Sequence, residues 1–126
     1  MMTPLGEGRF MRLLFGVAVL GLTACSAPAP KPLTAEESAA LSPNDPRLAQ
    51  LYNGSCKACH TVADSQAPLT GDRTQWDPRW AQGEEALLAA SIQGKGGMPA
   101  GGQCFSCTPD DLKALIRFMA GREVAK

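Results

Sequence analysis

Cys56-Lys57-Ala58-Cys59-His60 decides how the rest of the chain is read. On a helical turn, two cysteines three apart and a histidine one further on project from the same side of the backbone. Two thiols so placed can add across the vinyl groups of a haem while the imidazole beside them meets the iron, which is the pattern of a c-type haem attachment site. A structural cysteine pair beside a chance histidine, or half of a zinc site, would leave the same five letters. His60 favours the haem reading, because it is the one histidine in the chain and stands where that motif needs it. The expectation is one covalently attached haem c.

Around that motif there is room for one small domain. Of the 126 residues, about 80 remain to fold once the N-terminal segments described next are set aside. So short a chain buries limited apolar surface, and a flat haem would be part of its core, with short helices packed around it. Basic and acidic side chains number 12 each. Nothing therefore points to a nucleic-acid partner or to an electrostatic membrane patch.

The first 24 residues read as an address and not a fold. Arg9 and Arg12 make a short positive segment, and Leu13 to Leu22 follows as an apolar run. That run is too short for a membrane-spanning helix, which takes about 20 apolar residues. Leu22-Thr23-Ala24-Cys25 resembles the lipobox of bacterial lipoproteins, which implies cleavage before Cys25, lipidation of Cys25 and export. By resemblance to the enterobacterial sorting rule, Ser26 favours the periplasmic leaflet of the outer membrane over the inner membrane. Residues 25–44 are rich in alanine and proline and read as a lipid-anchored tether, roughly 20 residues reaching up to about 60 Å. The alternative is that part of it packs on the domain, and Thr34 to Leu41 could form a helical turn or two.

The haem domain is expected over residues 45–126. Asp45 is a good N-cap with Pro46 at the first helical position, and Leu48, Leu51 and Tyr52 form one apolar stripe leading to Cys56. Thr61 to Asp72 reads as a loop around a haem edge. Trp76 and Trp80 share a helical face over Thr74 to Gln82. Core packing is the plainer account of them, and the sharper one sets Trp76 or Arg79 against a haem propionate. Glu84 to Gln93 reads as a helix between Gly83 and Gly94, with Leu87, Leu88 and Ile92 on one side. A glycine-rich stretch then isolates Met98, the candidate sixth ligand, since Met119 falls at core spacing with Leu112, Leu115 and Ile116. Thr108-Pro109-Asp110-Asp111 opens a last helix ending near Gly121, placed to cross the Asp45 helix.

Of five cysteines, one is assigned to lipid and two to haem, which leaves Cys104 and Cys107. An even remainder in an exported protein reads as a disulfide. A four-cysteine zinc site with Cys56 and Cys59 would need a far longer spacer than a zinc ribbon has. A thioredoxin-like redox pair would need a βαβ pattern that the sequence lacks. A second haem is excluded, because Thr108 stands where its histidine would be.

Tyr52 to His60, Ala67-Pro68, Gly71-Asp72, Trp76-Asp77-Pro78-Arg79, Ala81-Gln82-Gly83, Met98-Pro99, Gly101-Gly102 and Cys104-Phe105-Ser106-Cys107, in that order, resemble the class I c-type cytochromes of the cytochrome c5 family. The resemblance spans about residues 45 to 122. It implies an all-α monohaem fold, axial His60 and Met98, thioethers at Cys56 and Cys59, and a Cys104–Cys107 disulfide. It also implies electron transfer without chemistry on a substrate; Pro68, Trp76 and Arg79 are further candidate haem-binding residues. The expected protein is a monomer that passes single electrons between redox protein partners on the periplasmic side of a bacterial membrane. A haem enzyme or gas sensor with a labile Met98 is the alternative, and a zinc-stabilised binding module is the third reading.

Overall fold

The Asp45 carboxylate accepts from the backbone N–H groups of Arg47 and Leu48 at 2.8 and 3.0 Å. Pro46 fills the first helical position, where its missing N–H would have had no partner. In the computed structural model, which describes residues 27–123, the helix begun there is the second of six. They are α1 (Ala35–Ala39), α2 (Pro46–Gly54), α3 (Lys57–His60), α4 (Arg73–Trp80), α5 (Glu84–Gln93) and α6 (Pro109–Met119). Short 3₁₀ turns occupy Ala63–Ser65 and Ala100–Gln103. Among the described residues there is no strand, only a bridge between Lys95 and Met98, and no helix is long and apolar enough to cross a membrane.

The core lies where α2 meets α6. Tyr52 is fully buried, and its ring meets that of Phe118 edge to face at 5.0 Å, a geometry worth roughly 1 kcal/mol beyond area burial. Leu115 and Met119 pack into the same cluster, as the helical spacing predicts. The two helices are also tied at their first turns. Thr108 and Asp111 form a reciprocal capping box on α6, and the Arg47 guanidinium grips both oxygens of Asp111. That pairing, with the Thr108 N–H and hydroxyl, holds the Asp111 carboxyl well below the usual carboxylate range.

Two expectations change. The segment Thr34 to Leu41, placed by composition in the tether, is folded onto the domain. Thr34 and Glu37 make a capping box for α1, Ser38 is fully buried, and Leu41 packs on the core cluster. Small and medium side chains sufficed to dock a helix too short to show a periodic stripe. In α5 the bounds agree with the sequence, but its large residues do not define the inner face. Ile92 is 44% exposed, whereas Ala86, Leu87, Ala90 and Ser91 line a cavity. These four recur at helical spacing, so a face of mostly small side chains stands back from the space it borders.

Candidate haem site

His60 sits at the end of α3, packed between the loop that follows it and α4. The Nδ1 nitrogen is 2.8 Å from the Pro68 carbonyl oxygen. A carbonyl only accepts, so Nδ1 carries the proton and Nε2 keeps its lone pair free. Trp76 stacks on the imidazole with ring centroids 5.8 Å apart and planes 27° apart. Burial, aided by the charge of Arg79, pulls the His60 imidazole below its ordinary value against the opposing effect of the Pro68 bond. The neutral imidazole is the ligating form.

The loop carrying Pro68 is itself fastened from several sides. Trp76 donates its Nε1–H to the Leu69 carbonyl at 2.8 Å, Tyr52 and Thr70 join hydroxyls at 2.9 Å, and the Thr70 N–H donates to the His60 carbonyl at 2.7 Å. At the start of α4, the buried Asp72 accepts from the Thr74 N–H and hydroxyl and from the Gln75 amide. The indole N–H is thereby committed to backbone, which removes Trp76 as a propionate donor and leaves its ring to face the site. Arg79 does line the cavity, with one guanidinium nitrogen 2.5 Å from the Gln75 carbonyl.

Cys56 is buried at the N-cap of α3, and Cys59 is exposed three residues on. Burial pushes the Cys56 thiol up. Both cysteines, His60, Pro68, Trp76 and Met98 border one cavity of about 860 Å³, within the roughly 300–1,000 Å³ range of cofactor sites. Ile116 of α6 and Leu87 of α5 supply apolar wall.

Met98 is held at the rim by a tight chain reversal. Lys95 and Met98 exchange backbone hydrogen bonds of 3.0 Å. Gly94 has φ +82°, and a Cβ there would stand 2.9 Å from both the Met98 oxygen and the Ala100 nitrogen. Gly102 has φ +57°, and a Cβ there would stand 3.2 Å from the Met98 methyl carbon. Glycine therefore provides both the turn and the space for the thioether. Cys104 and Cys107 are joined by a disulfide with a Cα–Cα distance of 5.3 Å, and Phe105 at its tip is 97% exposed. Cys25 lies outside the described residues.

The residues fit a haem. Two thiols, an imidazole with one nitrogen free, and a thioether border a single cavity with apolar walls, which is the donor chemistry of a covalently attached haem. The structure brings those four sequence-predicted residues to one cavity, while the inner face of α5 and the burial of Ser38 were not anticipated. The alternation of Ala86 and Ala90 with Leu87 and Ser91 held the first signal.

Residues 43–119 match the family model described as "Cytochrome C oxidase, cbb3-type, subunit III". The chain is 41% identical to cytochrome c5 of Azotobacter vinelandii over 52% of this chain and 82% of that one. It is 37% identical to cytochrome c-555 of Chlorobaculum tepidum over 56% and 69% of the two chains. A solved relative, from the crystal structure of an electron transfer complex of nitrite reductase with cytochrome c, is 37% identical with a TM-score of 0.55, covering 62% of this chain and 95% of that chain. The chain belongs to the class I c-type cytochromes, in the cytochrome c5 family. It is a monohaem electron-transfer cytochrome, an electron carrier and not an enzyme, with covalently bound haem c.

Proposed function

We propose that His60 and Met98 are the two axial ligands and that the protein carries single electrons between redox protein partners on the periplasmic side of a bacterial membrane. When bound, the haem supplies a one-electron Fe(III)/Fe(II) couple, whose potential a methionine ligand raises relative to two nitrogen ligands. The observation that carries the assignment is the His60 imidazole, which donates from Nδ1 to the Pro68 carbonyl and so keeps Nε2 open, bordering the same cavity as Met98. Cys56 and Cys59 form the thioethers, the Trp76 ring packs on His60, and Arg79 pairs a propionate through the N–H donors not bound to Gln75. Near-infrared magnetic circular dichroism of the ferric holoprotein tests the ligand pair. A histidine–methionine signature supports it, and a bis-nitrogen or high-spin signature contradicts it.

Lipidation at Cys25 places the carrier at the membrane in this proposal. Several acyl chains give stable anchoring where a single chain would not. With α1 docked, the stretch between the lipid and the docked segment shortens to residues 25–32, about 25 Å at ~3.1 Å per residue instead of the ~60 Å of a full-length tether. The domain then works close to the bilayer, at a raised effective concentration toward membrane-bound partners. The protein–protein context of the solved relative supports a protein redox partner. Fractionation of wild type and Cys25→Ser checks the anchor. Wild type is expected in the membrane fraction and Cys25→Ser in the soluble fraction with an unchanged spectrum, whereas a soluble wild type would refute it.

A further inference from the structure

The segment ahead of the family match, which begins at residue 43, reaches the loop that holds His60. The Ser38 hydroxyl, fully buried, donates to the His60 carbonyl oxygen at 3.2 Å. That oxygen already accepts from the Thr70 N–H at 2.7 Å, so α1 and the far end of the loop converge on one carbonyl. Gly71 is the second point of contact. A Cβ there would collide with Leu41 Cδ1 and stand 3.0 Å from Leu33 Cδ1, so both leucines lie close against the Gly71 backbone. From the other side, the Gly71 N–H donates to the Met119 carbonyl of α6 at 2.7 Å. The two ends of the loop are thus held, His60 by Ser38 and Gly71 between α6 and the two leucines of a segment that composition alone assigns to the tether.

We propose that residues 33–41 are a clip for the axial-histidine loop, with Ser38 as a positioning residue that acts through the His60 carbonyl. The inference rests on His60 being an axial ligand. The loop carries the ligand at one end and its orienting carbonyl, Pro68, near the other, so whatever limits breathing of the loop also limits rotation of the imidazole. Ser38 fixes the His60 end. Leu33 and Leu41 press on Gly71, two residues beyond the Leu69 carbonyl that anchors Trp76. In this way the chain ahead of the family match takes part in setting the geometry of the ligand.

The test uses the full-length holoprotein in three variants: Ser38→Ala, Leu41→Ala, and Glu36→Gln as a control on the exposed side of α1. Amide exchange is followed at Thr70 and, for comparison, at Ile116 in α6, together with the hyperfine-shifted ring protons of His60 in the ferric protein. Loss of a buried hydrogen bond predicts at least about fivefold faster exchange at Thr70 in Ser38→Ala, with Ile116 little changed. The His60 resonances should move in Ser38→Ala and Leu41→Ala and stay in place in Glu36→Gln. Equal acceleration at Thr70 and Ile116 with unmoved His60 resonances would reduce α1 to general stabilisation and overturn the clip, as would no change at either site. Absence of hyperfine-shifted His60 protons in wild type would instead overturn the axial reading on which the clip rests.

Discussion

His60 Nδ1 and the Pro68 carbonyl oxygen are 2.8 Å apart, and that one bond fixes the tautomer, the ring orientation and the nitrogen left for a metal. The acceptor belongs to the backbone, so it survives replacement of the Pro68 side chain. Pro68→Ala should therefore retain haem and the axial pair, while the freer unfolded chain costs about 0.4–1 kcal/mol of stability. His60→Ala should give little or no holoprotein. Haem-stained gels and thermal melts distinguish the two outcomes.

The placement of the thioether depends on two glycines, Gly94 against the Met98 backbone and Gly102 against the Met98 methyl carbon. Gly94→Ala places a Cβ 2.9 Å from backbone atoms that cannot swing aside, at φ +82° and ψ 155°, a region essentially restricted to glycine that costs another residue roughly 1–3 kcal/mol. Gly102→Val meets the Met98 methyl carbon itself. We expect Gly94→Ala to lower the melting temperature and Gly102→Val to weaken the sulfur–iron charge-transfer band, both with haem still attached. Optical spectra recorded through a thermal ramp report both effects together.

The Cys104–Cys107 bridge closes a very short loop, so the unfolded-state entropy it removes is small, about 2 kcal/mol in the chain-entropy account. The bridge joins the end of the Met98 loop to the cap of α6. Replacing both cysteines by alanine should cost stability on that scale and leave the reduction potential nearly unchanged. Chemical denaturation and voltammetry of the double variant test the split, and a large shift in potential would tie the bridge to ligation.

Asp111 is held below the usual carboxylate range first by Arg47 and then by Thr108. A depressed folded-state value means that the unfolded chain binds the proton more readily, so this stability is complete above the unfolded value near 4 and declines as pH falls below it. Wild type should lose thermal stability through that acid range. Asp111→Asn should be less stable at neutral pH and show a shallower loss on acidification, as followed by melting curves against pH. Asp77 and Glu84, lowered by their arginine partners, act in the same direction and leave part of the slope in the variant.

The haem motif, the Met98 loop and the capped last helix were legible because each rests on local chemistry: a spacing, a run of glycines, a Thr-Pro-Asp-Asp start. The bounds of α5 were legible from Gly83 and Gly94, but not its orientation. Hydrophobic periodicity weighs large side chains, while a helix bordering a flat cofactor turns small ones inward at Ala86 and Ala90. The Trp76 alternative failed for a long-range reason, since which acceptor an indole N–H meets depends on where the Leu69 carbonyl is carried by the loop. For α1, packing on the domain was one alternative, and the contacts that decide it were hidden for the same cause. Its contacts join Ser38 to His60 and Leu41 to Gly71, pairs too distant in sequence for composition to register, and a segment rich in alanine and proline looks solvated until its partner is known.

In the proposed function a single haem, held by His60 and Met98, cycles one electron. Spectroelectrochemical titration of purified wild type beside Met98→Ala tests it most directly. Wild type should show one c-type haem, a sulfur–iron charge-transfer band in the ferric state and a single one-electron transition, and Met98→Ala should keep the covalent haem, lose the band and titrate at a clearly lower potential. A wild type without covalent haem, or a Met98→Ala protein with the band and potential unchanged, would contradict it.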